Sequence, residues 1–331
     1  MNCAYLAFTD RGMALAHRLA QAQPGTVDRC GKDGVRLGDW TSRSFARCNA
    51  LVFVGAVGIA VRAIAPHCRS KATDPAVVVV DEAGQFAIPV LSGHLGGANA
   101  LARTLAAACG AVPVITTATD VRGVFAVDEW AKQAGCAVLE PERIKQVSGR
   151  LLAGEPVGFW SEFPVNGTPP AGVSPAPAQQ ADFALTLFPQ GEGLHLVPAI
   201  GVLGVGCRRG TTAQQLEAAF AAFCARYALS PRCICAAASI DLKQNEAGLL
   251  EFCAAHRWAV SFYSAGQLKT VPGNFTPSAF VCSVTGVDNV CERAAALAAG
   301  GTIRIPKQAA DGVTFALALR PYAPDWRNQN G

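Results

Sequence analysis

The most constraining feature of this sequence is a pair of short apolar runs, Ala50–Val54 and Ala76–Val80, in which β-branched side chains are frequent. Runs of this kind form strands that are buried on both faces, as in parallel sheets covered by helices on both sides. A chain that contains such strands needs helices between them. The sequence therefore predicts an α/β fold with an open, mostly parallel sheet in its amino-terminal part.

A glycine-rich turn at residues 92–97, with the sequence Ser-Gly-His-Leu-Gly-Gly, follows another predicted strand, Phe86–Leu91. A helix is predicted directly after the turn, over Ala98–Cys109, and Gly110 can cap its end. Glycines let the backbone approach a ligand closely, and the first amides of a helix favour an anion or a developing oxyanion. His94 lies inside this turn. The alternative is that the turn only reverses the chain.

Two other turns follow the two buried runs. Gly55 and Gly58 come after the first run and precede a helical pattern that ends at Pro66, and Asp81 and Glu82 come directly after the second run. A strand, a tight turn and a helix start are therefore predicted at residues 50–66. This arrangement is how a site is usually built at the end of a strand.

A further strand is predicted at residues 112–116, and it leads into Thr117 and Asp120. Open α/β sheets bind ligands at the carboxyl edge of their parallel strands, where these polar side chains would lie. The alternative role of Asp120 is to cap a helix or a turn. A helix over residues 123–134, a second helix over residues 142–152 and a proline-rich connection over residues 163–180 are predicted beyond it.

The second half of the chain repeats the pattern of strand, glycine turn and helix. Gly206, Arg208 and Arg209 follow an apolar run, and Thr211 or Thr212 can cap a helix that reaches about Tyr227. A guanidinium group can hold a carboxylate with two parallel hydrogen bonds, so the two arginines suit carboxylate recognition. The alternative is a solvated basic turn. More strands at residues 233–239, 259–263, 302–305 and 312–319 predict a second α/β domain.

Composition narrows the class of protein. A chain of 331 residues with 51% hydrophobic residues predicts two or three globular domains. The 13 cysteines are scattered through apolar stretches, which favours reduced thiols, and their spacing does not predict a metal site. The formal net charge of +4 comes without a basic run, so no nucleic acid is expected as a partner. No membrane span and no signal peptide are predicted, and we expect a cytoplasmic protein.

Several motifs together resemble one family. They are GAVGIAVR at 55–62, IAP at 64–66, SKATDPAVVVVDE at 70–82, SGHLGGANALA at 92–102, GVGCRRGT at 204–211, SIDLKQNEAGLL at 239–250, TGVDNVCERAAAL at 285–297 and IRIPK at 303–307. In this order they are similar to the cobalt-precorrin-5A hydrolase family of cobalamin biosynthesis. Arg293 stands where the family pattern has a small residue or proline. The expected organisation is an amino-terminal domain at 1–135, a middle region with the proline-rich connection at 136–198, a carboxyl-terminal domain at 199–322 and a tail at 323–331.

The resemblance implies a reaction and a substrate. Water opens a δ-lactone on a ring-contracted cobalt tetrapyrrole, and acetaldehyde is then released to give cobalt-precorrin-5B. Such chemistry needs a base near neutral pKa and donors for an oxyanion. We expect His94 as the base, with Asp81 or Glu82 orienting its imidazole, and the amides of Gly96, Gly97 and Ala98 as donors. The alternative for His94 is a helix cap or a backbone-bonded histidine.

The same resemblance predicts a substrate with many carboxylates, lying between the two domains. The protein itself is expected to hold no cofactor, because the cobalt arrives within the substrate, and other corrin-pathway enzymes are possible partners. The predicted substrate-binding residues are Gly55, Gly58, Arg62, Lys71, Ser92, Gly93, Gly96, Gly97, Asn99, Thr117, Asp120, Gly206, Arg208, Arg209, Asp241, Lys243, Glu246 and Lys307.

Two other functions fit parts of the sequence. A carrier that shelters unstable tetrapyrrole intermediates would use the same binding residues without catalysis. A phosphate- or nucleotide-binding enzyme could use the same glycine turns. The sequence has neither GxxxxGK[ST] nor GxGxxG followed by an acidic ribose partner, so this last alternative has the least support.

Overall fold

A computed structural model describes residues 2–70 and 73–327 of the chain. It divides into two compact units, of which the first comprises residues 1–132 and 144–155 and the second residues 133–143 and 156–331. Lys71, one of the predicted substrate-binding residues, lies outside the described residues. The predicted domain boundaries at residues 135 and 198 stay predictions.

Strands and helices alternate along much of the chain. The first part forms β1 (Cys3–Ala7), α1 (Asp10–Ala22), β2 (Gly25–Arg29), α2 (Leu37–Arg47), β3 (Ala50–Val54), α3 (Val57–Ile64), β4 (Ala76–Val80), β5 (Phe86–Leu91), α4 (Ala98–Cys109), β6 (Val112–Pro113), α5 (Ala118–Arg122), α6 (Val127–Gln133), β7 (Cys136–Val138) and α7 (Ile144–Leu152). The rest forms β8 (Val157–Ser161), β9 (Val173–Pro175), β10 (Phe183–Leu185), β11 (Leu194–Pro198), β12 (Gly201–Cys207), α8 (Ala213–Tyr227), β13 (Ile234–Ile240), α9 (Ala247–Ala255), β14 (Ala259–Tyr263), α10 (Ala265–Lys269), α11 (Ala279–Thr285), α12 (Cys291–Ala299), β15 (Thr302–Ala310) and β16 (Val313–Leu319).

The sheet of the first unit has the strand order β2-β1-β3-β4-β5-β6. Its strands pair in parallel except for β4 and β5, which are antiparallel. Alternate residues of β3 and β4 pack against α1 and α4 on one face and against α2 and α3 on the other. Burial on both faces explains why these strands are continuously apolar. The predicted fold of this part is confirmed.

A second sheet has the order β7-β11-β10-β8-β9 and belongs to the second unit. Its last strand, β9, contains Pro175 and lies within the segment that the sequence assigned to a proline-rich connection. Proline cannot donate to a sheet ladder, so it is tolerated on an edge strand. The segment is therefore partly ordered as the edge of this sheet, where β9 pairs with β8 in parallel.

The third sheet has the order β14-β13-β12-β16-β15 and forms the carboxyl-terminal domain. Strands β12, β13 and β14 are parallel, whereas β16 is antiparallel to β12. Helices α8 and α9 cover one face through Phe220 and Phe252, and α12 covers the other. Gly204 allows this close packing, because a Cβ there would lie 1.9 Å from the carbonyl oxygen of Cys291. The predicted second α/β domain is thus confirmed.

Two predicted elements are shorter in the structure. The strand expected at 112–116 is limited to Val112–Pro113, at the edge of its sheet, although the amide of Val114 still donates to the carbonyl of Ala87 on β5 at 2.9 Å. The helix expected at 123–134 begins only at Val127. Among the helices formed by the described residues, none has both the length and the apolar character that crossing a membrane requires.

Candidate functional site

The turn that carries His94 is held in an unusual backbone conformation. Ser92 has φ 57° and Gly97 has φ 88°, and a Cβ on Gly96 would lie 2.2 Å from the Cβ of Ser92. The Ser92 hydroxyl donates to the carbonyl of Asp74 at 3.0 Å. Only glycine fits at position 96, since any side chain would collide with Ser92. The sequence thus fixes the turn that presents the imidazole.

His94 lies between two aspartates. Its Nε2 is 2.9 Å from Oδ2 of Asp120, and its Nδ1 is 3.2 Å from Oδ1 of Asp128. The three side chains are 12%, 10% and 8% exposed. Both ring nitrogens therefore face carboxylates in a largely buried position.

Asp120 has further partners on α4. Arg103 donates to its Oδ1 at 2.7 Å, and the side-chain amide of Asn99 donates to its Oδ2 at 3.1 Å. Asn99 also donates to the hydroxyl of Thr117 at 3.0 Å. Asp120 thus binds three side chains instead of capping a helix. We call His94, Asn99, Arg103, Asp120 and Asp128 the His94 network.

The charges of the network change the acidity of its members. Burial alone would lower the pKa of His94, but the hydrogen bonds and negative charges of Asp128 and Asp120 outweigh it and raise the pKa to about 9. Burial would raise the pKa of Asp120, yet its bonds to Arg103 and His94 lower that pKa overall. At neutral pH the imidazole is therefore protonated and both of its nitrogens donate.

Glu129 lies beside the network. One of its carboxylate oxygens, a ring nitrogen of His94 and an oxygen of Asp120 all lie within 4.8 Å of one another. Burial raises the pKa of Glu129, and the charge of Asp120 adds to this, although His94 acts in the opposite direction. A carboxyl group with a raised pKa is suited to accept and return a proton near neutral pH.

The same three side chains have the spacing of metal ligands. Histidine nitrogen and carboxylate oxygens at these separations could hold a cation. However, the Asp120 oxygens are engaged by Arg103, His94 and Asn99. A metal ion would have to displace an arginine and a protonated imidazole, so this donor set fits a metal ion poorly.

Asp81 and Glu82 do not orient His94 in the structure. Asp81 accepts from the backbone N–H groups of Ala83, Gln85 and Phe86 and so closes its own turn. Glu82 accepts from the hydroxyl of Thr9 at 2.6 Å. The positions that were expected for these two carboxylates are taken by Asp120 and Asp128, which lie on α5 and α6.

Ser92, Gly93, Gly96 and Gly97 form the His94 turn itself. The amide of Ala98 donates to the carbonyl of Ser92 at 3.1 Å, so it is already used. The amides of Gly96 and Gly97 remain the candidate oxyanion donors.

Gly55 and Gly58 lie between the end of β3 and the first turn of α3, outside the His94 network. Arg62 is exposed on the same helix.

The predicted residues of the second unit, except Asp241, line a cavity of about 680 Å³. Its lining includes Gly206, Arg208, Arg209, Lys243, Glu246 and Lys307. Asp241 begins the short 3₁₀ turn that carries Lys243.

Sequence reasoning did not assign a role to Arg103, Asp128 or Glu129. Arg103 faces Asp120 from a helix predicted correctly, and its position one turn after Asn99 could have indicated this. Asp128 and Glu129 are adjacent acidic residues at the start of α6. Their approach to His94 depends on the path of residues 110–127, which no local pattern determines.

The amino-acid sequence is similar to known proteins along most of its length. Three family models match the chain. The model of the Cobalamin synthesis G N-terminal region matches residues 39–120, that of the Cobalamin biosynthesis central region matches residues 125–186, and that of the Cobalamin synthesis G C-terminus matches residues 201–318. A protein from Salmonella typhimurium named cobalt-precorrin-5A hydrolase is 34% identical, over 96% of this chain and 97% of that protein. The chain belongs to the cobalt-precorrin-5A hydrolase family.

Two more proteins are similar to the chain. A cobalt-precorrin-5A hydrolase from Priestia megaterium is 33% identical over 84% of this chain and 80% of that protein. The crystal structure of a cobalamin biosynthesis protein G homologue from Sulfolobus solfataricus covers 97% of each chain at 20% identity, with a TM-score of 0.42. The family resemblance predicted from the motifs is confirmed.

Proposed function

We propose that this chain is a cobalt-precorrin-5A hydrolase that opens the δ-lactone of a cobalt tetrapyrrole and releases acetaldehyde. Two relatives named cobalt-precorrin-5A hydrolase match 96% and 84% of the chain. The structural observation that carries the proposal is the buried His94 network with Glu129 beside it. The proposal includes a cytoplasmic location, and the cobalt enters as part of the substrate.

The first step is the addition of water to the lactone carbonyl. Glu129 accepts a proton from the attacking water, since a raised pKa makes its carboxylate a stronger base. The amides of Gly96 and Gly97 donate to the tetrahedral oxyanion, and the positive charge of the protonated His94 in the same turn stabilises it. When the ring C–O bond breaks, Glu129 returns the proton that it took from water to the departing alkoxide. The products are a free carboxylate and a hydroxyethyl group on the macrocycle.

The second step releases the two-carbon fragment. Loss of the hydroxyl proton allows the oxygen to form the carbonyl of acetaldehyde while the carbon–carbon bond to the macrocycle breaks. The electron pair of that bond passes into the conjugated ring and its cobalt, so the substrate carries the harder part of the chemistry. Glu129, which is a carboxylate again after the first step, can accept the hydroxyl proton. The base role that the sequence predicted for His94 thus passes to Glu129 in this proposal.

The test is an anaerobic incubation of the full chain with the cobalt-containing lactone. Acetaldehyde is measured by a coupled aldehyde reduction, and the pigment is followed by its mass. Acetaldehyde in proportion to converted pigment supports the proposal. Pigment that stays bound and unchanged would contradict it and would favour a carrier.

Replacement of Glu129 by Gln tests its role as the base. We expect the opened lactone to form about 100-fold more slowly in Glu129→Gln, because the carboxyl base is lost. Glu142→Gln, a change of the same kind on the short 3₁₀ turn before α7, is the matched control. Unchanged turnover in Glu129→Gln would remove Glu129 from the mechanism.

A further inference from the structure

A compact surface segment of the second unit, residues 278–288, leaves and rejoins its domain at one point. The amide of Ser278 donates to the carbonyl of Asp288 at 2.8 Å, so the two ends of the segment lie side by side. Most of its length is helix α11. Surface segments of this size whose ends meet are Ω-loops, which are frequently functional. We call residues 278–288 the α11 segment.

The α11 segment keeps its shape through bonds among its own residues. Ser278 caps the helix, because its hydroxyl accepts from the amide of Val281 at 3.4 Å. The amide of Gly286 donates to the carbonyl of Cys282 at 2.8 Å, and the φ of 73° at Gly286 ends the helix. The hydroxyl of Thr285 donates to the carbonyl of Val281 at 2.8 Å. The segment can therefore move as one body.

A buried carboxylate holds the base of the segment. Glu292, 2% exposed, accepts from the amide and hydroxyl of Thr276 just before the segment and from the side-chain amide of Asn289 just after it. The Asn289 side chain also donates to the carbonyl of Thr276 at 2.8 Å. Glu292 accepts in addition from the amide of Lys307 on β15, which ties the base to the sheet. Movement of the segment is thus confined to a pivot at this base.

Arg293 supports the same base. It pairs with Asp288 at 2.9 Å and donates to the carbonyls of Leu268 and Val271. Its guanidinium carbon lies 4.6 Å from the centre of the Phe275 ring. The arginine that departs from the family pattern therefore has a structural role beside the pivot.

One side of the α11 segment lines the cavity of the second unit. Val281 and Val284 belong to this lining. Val281 also packs against the core, whereas Val284 is 62% exposed. Leu242, on the 3₁₀ turn that follows β13, lines the same cavity and is 63% exposed. Two apolar side chains so exposed, on separate segments of one cavity, indicate a surface that becomes covered.

Lys307 connects the cavity to the base of the segment. It lines the cavity, and its ammonium group donates to the carbonyl of Thr276 at 3.4 Å. A carboxylate that enters the cavity draws the ammonium group away from this carbonyl, because a charged acceptor forms the stronger hydrogen bond. Occupation of the cavity thus weakens one bond at the base and leaves the bonds of Glu292 in place.

We propose that the α11 segment is a lid that pivots on the Glu292 base and closes over the cavity of the second unit. Closure brings Val284 against Leu242 and removes both side chains from water. Water is also excluded from the cavity, which strengthens the attraction between its basic side chains and an anion. The enclosed ligand is the substrate, so its identity rests on the proposed function, whereas the lid follows from the bonds of the segment.

A reversible disulfide tests the lid. Leu242→Cys/Val284→Cys is made in a Cys68→Ser/Cys282→Ser background, which removes the two exposed native thiols. We expect diamide to join the new thiols, since closure brings their Cα atoms within the roughly 4.4–6.8 Å that a disulfide requires.

The order of addition then shows whether the disulfide closes the cavity. A chain locked before the cobalt lactone is added should retain less than about a tenth of the pigment that the reduced chain retains in gel filtration, because a closed lid blocks entry. Pigment added before oxidation should stay in the locked chain until dithiothreitol reduces the bond.

Matched controls separate closure from the substitutions themselves. Leu242→Cys/Leu297→Cys pairs the same turn with a leucine of α12 that is 37% exposed and lies outside the cavity lining, and diamide should not join these thiols. Leu242→Ser/Val284→Ser cannot form the bond, so it should bind the pigment equally before and after diamide.

Three results would overturn the lid. They are no disulfide between positions 242 and 284, a disulfide that forms as fast in the control pair, and pigment that enters and leaves the locked chain as freely as the reduced chain. Failure of the proposed function alone looks different, since the lock would exclude and trap pigment while the reduced chain released no acetaldehyde. A reduced chain that retains no pigment would contradict both.

Discussion

The His94 network and the cavity of the second unit that Arg208 and Arg209 line are both rich in charge. The difference is whether these charges are paired with other side chains. In the network, two buried aspartates surround a protonated imidazole, and Arg103 neutralises one of them. In the cavity, Arg208 and Arg209 are exposed and form no salt bridge with any described residue. The first region has its charges already paired, whereas the second has charges available to a ligand.

This difference indicates different tasks. A paired and buried network holds its groups in fixed positions and sets their pKa values, as proton transfer requires. An apolar cavity with unpaired basic groups gains most of its electrostatic stabilisation when an acidic ligand arrives. We therefore expect changes in the network to affect the catalytic rate, and changes in the cavity to affect binding.

The largest expected effect is that of Asp120→Asn. It removes the carboxylate charge that faces both His94 and Arg103. We expect kcat to fall about 1,000-fold, because general acid–base groups contribute roughly 10²–10⁴-fold. Acetaldehyde release is the measurement, and KM for the cobalt lactone should stay within about twofold. Asp39→Asn, at an exposed position of α2, is the control. If Asp120→Asn lost substrate binding as well as turnover, the two regions would not be separable.

The second effect is on KM. Arg208→Gln/Arg209→Gln should raise KM for the cobalt lactone about 10- to 100-fold and leave kcat nearly unchanged. The lost interactions bind the substrate and the transition state equally, and the reacting groups are unchanged. Steady-state kinetics with limiting and saturating substrate distinguish the two constants. A fall in kcat at unchanged KM would instead give the arginines a part in the chemistry.

The third effect is a dependence on pH. His94 has to be protonated for the first step, so kcat/KM should fall about tenfold for each pH unit above 9. In His94→Gln the residual activity should no longer show this limb.

The raised pKa of His94 also affects stability. The pKa of His94 is higher in the folded chain than its ordinary value of 6.5, so the bound proton stabilises the fold. This contribution to the free energy of unfolding is complete below pH 6.5. This contribution is lost as the pH rises through about 9, and urea denaturation at a series of pH values measures it. Denaturation midpoints of the unchanged chain and of His94→Gln that shift in parallel with pH would contradict the raised pKa.

The smallest expected effect is that of a metal chelator. Asp120 is already bound by Arg103 and His94, so we expect turnover to stay within about 20% after treatment with EDTA, with cobalt retained in the macrocycle. Acetaldehyde release before and after treatment is the measurement. Loss of turnover that zinc restores would show that His94, Asp120 and Glu129 hold a metal ion.

Elements with strong local patterns could be predicted from the sequence. The buried strands β3 and β4 and the helix α4 have the predicted bounds, since continuous apolar runs and a capping glycine determine them locally. The proline-rich segment was harder to predict. Its edge strand β9 depends on pairing with β8, and that pairing has no local signal.

The site was predicted in part for the same reason. His94, Asn99, Thr117 and Asp120 were named from two turns, and the structure brings them together. The partner Asp128 was not named, because its contact with His94 joins residues separated by α4, β6, α5 and the loops between them. Asp81 and Glu82 were the nearest carboxylates by sequence pattern, but their own turns and Thr9 engage them.

The single carboxylate of Glu292 has a consequence for local opening of the fold. It accepts the amides of Thr276 and Lys307, which are 31 positions apart in the chain. Neither amide can meet solvent deuterium until its bond to that carboxylate breaks. Their exchange should therefore report one shared opening event, with the loop and the strand becoming labelled together.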